Sequence, residues 1–181
     1  MALPNFAYAH TVPGGGGFMS GLSHPVLGFD HLLAMLSVGI LSAQIGGSAI
    51  WKVPTAFVSV MLVGGILGMN SIYIMSVELG IVVSVFALGL AITLDQKLPL
   101  LITMLFVGFF ALFHGHAHGT EMPYLAKPLL YACGFVTGTG IIHIAGVMVG
   151  MTAKQFKNGT QILRYLGAGI AGIGFYLIIL L

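Results

Sequence analysis

Apolar residues in this chain run in long stretches, with short polar interruptions between them and no clear internal repeat. A helix that crosses a bilayer needs roughly 20 mostly apolar residues. Six stretches approach or exceed that length: Phe18 to Ile45, Val53 to Tyr73, Met75 to Leu94, Leu98 to Phe113, Pro128 to Met151, and Gln161 to the C-terminus. Lipid offers the backbone no water partners, so such stretches predict continuous helices. The expected fold is all-α, a polytopic bundle of about six transmembrane helices. Residues 18–181 would form one domain behind a lead-in over residues 1–17.

Composition fits this pattern. Of 181 residues, 58% are hydrophobic and only 6% are charged, too few charges for a water-facing surface. The length holds one helical bundle and leaves no room for a separate catalytic domain. A single cysteine, Cys133, excludes both a disulfide framework and a multi-thiolate metal cluster. The ten methionines leave thioether ligation open, although Met in an apolar span usually packs. Many glycines fall at small-xxx-small spacing, such as Gly64 and Gly68, Gly134 and Gly138, and Gly146 and Gly150. In lipid that spacing lets backbones approach closely. Tight packing within one bundle is the first reading of it, and a homo-oligomer is the alternative.

Charge sets an expected orientation. With six spans, Lys52, Lys97, Lys154, Lys157 and Arg164 fall on one side and Lys127 on the other. Basic residues favour the cytoplasmic side, which places both termini outside a bacterial inner membrane. Ala7-Tyr8-Ala9 before His10 resembles the small-x-small end of a signal peptide. Cleavage there would make His10 a mature N-terminus whose amine and imidazole chelate together; the other reading is a loop histidine ahead of Gly14 to Gly17.

The few polar residues within the spans carry the chemistry. An ionisable side chain near the bilayer centre costs about 2.5–3.5 kcal/mol on insertion scales, and the chain has only four acidic residues. Asp30 nonetheless sits in the first span, beside His31 and six residues after His24. On an ideal helix His24 and His31 share a face about 10 Å apart. Pro25 and Gly28 argue against an ideal helix, and a break there would bring the imidazoles closer. Asp30 either ligates directly or holds an imidazole from behind. A second cluster, His114-Gly-His116-Ala-His118-Gly-Thr-Glu121, closes the fourth span. If the helix continues, His114, His118 and Glu121 share a face and His116 points elsewhere. Both clusters admit blander readings: hydrogen-bonded ties between helices for the first, an exposed histidine-rich loop for the second. His143, inside the fifth span, suits a relay ligand or a helix-to-helix hydrogen bond. Glu78, Asn70 and Thr139 rank below these. Imidazole and carboxylate with little sulfur suit nickel, cobalt, zinc or iron and disfavour calcium and magnesium.

The run HPVLGFDHLLAMLSVG (His24 to Gly39), together with FHGHAHGTEMP (Phe113 to Pro123), resembles the HupE/UreJ family of nickel permeases. The similarity extends over nearly the whole chain, apart from a full signal peptide. It implies a secondary transporter of nickel or cobalt linked to a nickel enzyme, hydrogenase or urease. It also implies that His24, Asp30 and His31 are the central metal residues, supported by His114, His118 and Glu121.

The function expected is therefore a permease rather than an enzyme. Its cargo would be a divalent metal and its partners the lipid bilayer and that ion, with no nucleic acid and no prosthetic group. No Gly-rich loop with Lys-Ser/Thr for ATP is present. The membrane potential, worth about 2.3 kcal/mol per charge per 100 mV, would favour inward movement, and histidine titration near neutral pH keeps proton coupling open. The alternatives are an intramembrane zinc hydrolase, with Asp30 or Glu121 as general base, and a metal-binding sensor or storage subunit.

Overall fold

The computed structural model describes residues 17–122 and 126–181. The signal-peptide remnant and His10 lie outside them. Among the described residues the fold is all-helical: α1 (Gly17–Leu27), α2 (Phe29–Ile45), α3 (Ala49–Met69), α4 (Val77–Leu94), α5 (Leu100–Thr120), α6 (Pro128–Ala153) and α7 (Gly159–Leu180). Five of these are long and apolar enough to cross a membrane, and α1 with α2 makes a sixth if the pair crosses as one broken span.

The break that Pro25 and Gly28 suggest is present: the first span is two helices, α1 and α2, which meet at Gly28 with a bend of 83°. Pro25 lacks the N–H that would tie the last turn of α1 back to Gly21, and Gly28 is extended (φ −87°, ψ 110°), with its carbonyl accepting from Leu32 N–H at 2.9 Å. The fourth span does not end at Phe113, because α5 runs on to Thr120 and keeps all three histidines inside the helix. The remaining boundaries shift by a few residues, as polar helix ends blur any reading by hydropathy.

The helices pair through their glycines. The most extensive contacts are α3 with α5, α4 with α7, and α6 with both α1 and α2. A Cβ on Gly115 would lie 1.9 Å from the Met61 carbonyl oxygen, and one on Gly119 would lie 2.2 Å from that of Gly65. Helices α3 and α5 therefore run parallel, backbone against backbone. The same reasoning sets α1 and α2 parallel to α6, through Gly21 against Tyr131 and Gly39 against His143. It sets α4 antiparallel to α7, since Gly89 meets Ala171 while Gly174 meets Phe86. This is the alternation that successive crossings require. Gly46 and Gly47 take positive φ (79° and 56°), which lets the chain reverse between α2 and α3 in a left-handed turn.

Ala34, Met35, Val38, Phe57, Met61 and Leu88 are fully buried at the centre of the bundle. Large apolar side chains such as Ile66, Leu105, Phe109, Ile144 and Phe175 are exposed, the inversion expected of a surface solvated by acyl chains. The protein is a multi-pass membrane protein.

One end of the bundle is basic. Lys154 Nζ donates to the carbonyls of Ala43 (2.6 Å) and Gln44 (3.0 Å) near the C-terminus of α2, and Arg164 Nε donates to Thr93 O (2.9 Å) near that of α4. Cations there satisfy orphan carbonyls and oppose the negative helix ends. Replacing Lys154 with Met is expected to destabilise the protein by about 1 kcal/mol, read as a lowered thermal midpoint in detergent with the helical signal retained.

Candidate metal centre

At the opposite end, three helix termini converge. His24 lies in the last turn of α1, Asp30 and His31 in the first turn of α2, and His114 and His118 in the last two turns of α5, with Glu121 as its C-cap. The bend at Gly28 aims both first-span imidazoles at one target. The ring centroid of His118 lies 4.7 Å from that of His24 and 4.5 Å from that of His31, and His31 lies 4.7 Å from His114. The chain His24–His118–His31–His114 is thus continuous. The negative end of the α5 dipole adds to the attraction for a cation beside His118 and Glu121.

The outer end is the more exposed. The Glu121 side chain is 55% exposed and those of His24 and His31 are 13% and 10%, whereas His118 is 2% and His114 0% exposed. A histidine-lined path therefore leads from the exposed helix end into the core. At its outer end His24 Nε2–H donates to Glu121 Oε2 at 3.0 Å. Ligand atoms of His24, His118 and Glu121 all lie within 4.8 Å of one another, close enough for modest side-chain rotation to bring them onto one ion.

Deeper in, second partners hold the rings. Asp30 Oδ1 accepts from His31 Nδ1–H at 2.8 Å and from the His31 backbone N–H at 2.7 Å. A carboxylate behind an imidazole fixes which nitrogen faces forward; here that is His31 Nε2, buried with no protein partner among the described residues. His114 Nδ1 and both nitrogens of His118 are likewise buried without such a partner. A purely structural polar cluster would satisfy its own hydrogen bonds, so these unpartnered nitrogens suit a cation that the protein itself does not supply, and His118 is the one of these residues whose ligand atom falls within 4.8 Å of those of His24 and Glu121. The aromatic wall of Phe135, 4.2 Å from His118, and Tyr131, 5.9 Å from His24, backs the group from α6.

The remaining candidates sit apart. His116 points away, its Nε2–H donating to Ile72 O at 2.7 Å; it ties α5 to the connection after α3. His143 is buried with neither nitrogen partnered among the described residues, and Phe57 neighbours both it and the four-histidine chain, its ring 5.2 Å from His143 and 5.8 Å from His114. Glu78 is exposed in the first turn of α4, Asn70 Nδ2 donates to Ile66 O, and Thr139 Oγ1 donates to Met61 Sδ at 3.9 Å. None of these three joins the cluster. The sequence reading missed Ser84, whose hydroxyl lies 2.8 Å from His114 Nε2, and Phe57. A lone serine in the apolar run from Ile81 to Phe86 was the only available signal for the first.

The fold and the site define a polytopic membrane protein whose interior presents imidazoles and carboxylates from one end of the bundle. The chain belongs to the HupE/UreJ family: the family model described as HupE / UreJ protein matches residues 1–177. It is similar to Protein HupE of Rhizobium leguminosarum bv. viciae, with 40% identity over 180 residues, covering 99% of this chain and 93% of that relative. No solved structure matches it.

Proposed function

We propose that the protein is a secondary permease that carries nickel, with cobalt as the nearest competitor, inward across a bacterial inner membrane. The observation that carries this reading is the row of buried imidazole nitrogens, without protein partners among the described residues, leading inward from an exposed carboxylate. The donor set suits a borderline divalent ion, and the family's association with hydrogenase and urease supports nickel as the cargo. The basic end of the bundle is the cytoplasmic side by charge bias, so the histidine-rich end faces outward and both termini lie outside.

A hydrated ion meets Glu121 and His24 first and exchanges waters for His118. It passes to His31 and His114, then beyond Phe57 to His143. Conduction needs sites strong enough to strip water and weak enough to release the ion, and a row of partial sites sharing ligands meets that need better than one closed cage. His118 serves this directly, since it contacts the rings on both sides of it.

The test is uptake of radiolabelled nickel into proteoliposomes, with His31→Ala as the paired variant. Saturable uptake by the wild type and background uptake by the variant, with equal helical signal, is the expected result. Binding without flux in the wild type would overturn the permease and leave a sensor or storage role.

A further inference from the structure

We infer that Ser84 of α4 is a positioning residue for nickel transport: its hydroxyl fixes the tautomer of His114, so that Nδ1 is the nitrogen presented to the ion. This rests on the permease reading. Ser84 is fully buried, and its Oγ has two neighbours, the Ile81 carbonyl oxygen at 2.6 Å and His114 Nε2 at 2.8 Å. A serine hydroxyl has one proton to give. Two oxygens at 2.6 Å require a hydrogen between them, and a carbonyl can only accept, so the Ser84 proton goes to Ile81 O. The Oγ lone pair then faces His114, and the hydrogen on that contact comes from the imidazole, making Nε2 the protonated nitrogen.

The far side of the ring leads to the same assignment. His114 Nδ1 is buried with no protein acceptor among the described residues. A proton there would be a buried donor with no partner, whereas a lone pair there is a ligand. Reversing the Ser84 hydrogen bond would create that orphaned donor and set two oxygens against each other at once. Ser84 thus stands to His114 as Asp30 stands to His31: each holds an N–H from behind and leaves one lone pair forward. The two differ in chemistry, because the serine is neutral. It orients the ring without adding negative charge, so the ion gains a ligand but no deep electrostatic trap.

The deciding experiment is the nitrogen NMR spectrum of 15N-histidine-labelled, metal-free protein in lipid nanodiscs, with the His114 signals assigned by their loss in His114→Asn. The expected wild-type spectrum has His114 Nε2 protonated and Nδ1 unprotonated. In Ser84→Ala the His114 signals shift toward a mixture of tautomers, and the apparent nickel affinity in uptake falls by about 10- to 100-fold, the usual effect of removing a partner behind a ligand. Ser84→Thr, which keeps the hydroxyl, restores both. A wild-type His114 protonated at Nδ1 would overturn the assignment, as would a Ser84→Ala protein with unchanged tautomer and unchanged nickel affinity. The spectrum does not depend on flux, so a wild type that fails to transport nickel would sink the permease reading while Ser84 is still judged by its tautomer.

Discussion

Replacing His118 with alanine is expected to abolish nickel uptake while the protein stays folded with an unchanged or slightly raised thermal midpoint. His118 touches His24 on one side and His31 on the other, so its loss interrupts the route at the point where the outer and inner ligands meet. Without that junction the remaining rings are no longer contiguous, and the expected fall in Vmax/KM is at least about 100-fold, beyond what outer-shell changes produce. Stability should move the other way or hardly at all. Both His118 nitrogens are buried without protein partners among the described residues, and leaving a buried polar atom unsatisfied costs about 1–3 kcal/mol. Alanine removes that penalty while opening a cavity beside Phe135, and the two effects offset each other. Uptake in proteoliposomes and a melting curve on the same preparation check both parts. A variant that transports normally but melts early would show that His118 packs rather than ligates.

The second large effect falls on the scaffold. Gly115→Ala is expected to cost about 3 kcal/mol or more, at the upper end of overpacking, and to remove most of the folded protein from the membrane. A methyl at that position would sit 1.9 Å from Met61 O and 2.7 Å from its carbonyl carbon. Both are backbone atoms of a neighbouring helix, so relief requires α3 and α5 to separate along their whole contact. Gly140→Ala supplies the contrast, since a Cβ there meets nothing within 4 Å. Monomeric yield and thermal midpoint in detergent should collapse for the first variant and hold for the second. Equal behaviour of the two would mean that α3 and α5 do not pack as closely as described.

Hydropathy alone made the spans legible, since nothing but lipid accounts for apolar runs of this length. The motif residues from His24 to His31 and from His114 to Glu121 were legible too, because polar residues are costly in such runs. The bend at Gly28 was half legible: Pro25 and Gly28 announce a break, but not that the two halves aim their histidines at the same ring. The true end of α5 was hidden, because His114, His116 and His118 lower the local hydropathy and imitate a loop. The helix persists because Gly64 and Gly68 of α3 receive it closely and its imidazoles turn inward. Ser84 and Phe57 were not legible. Their roles depend on partners in other helices, and neither residue type is unusual in a span.

Helix α5 carries two interleaved stripes, His114 and His118 on one and Gly115 and Gly119 on the next. One stripe reads the ion and the other seats the helix on α3, a single residue out of step. Inserting one residue upstream within α5 would drive His114 and His118 into the α3 backbone, and deleting one would turn Gly115 and Gly119 toward the site. Any attempt to re-tune this protein for another metal is therefore confined to substitutions. Length changes in α5 forfeit cargo recognition and assembly together, and the freer ground for redesign lies across the site, on α1 and α2, where Gly28 already uncouples one helix from the other.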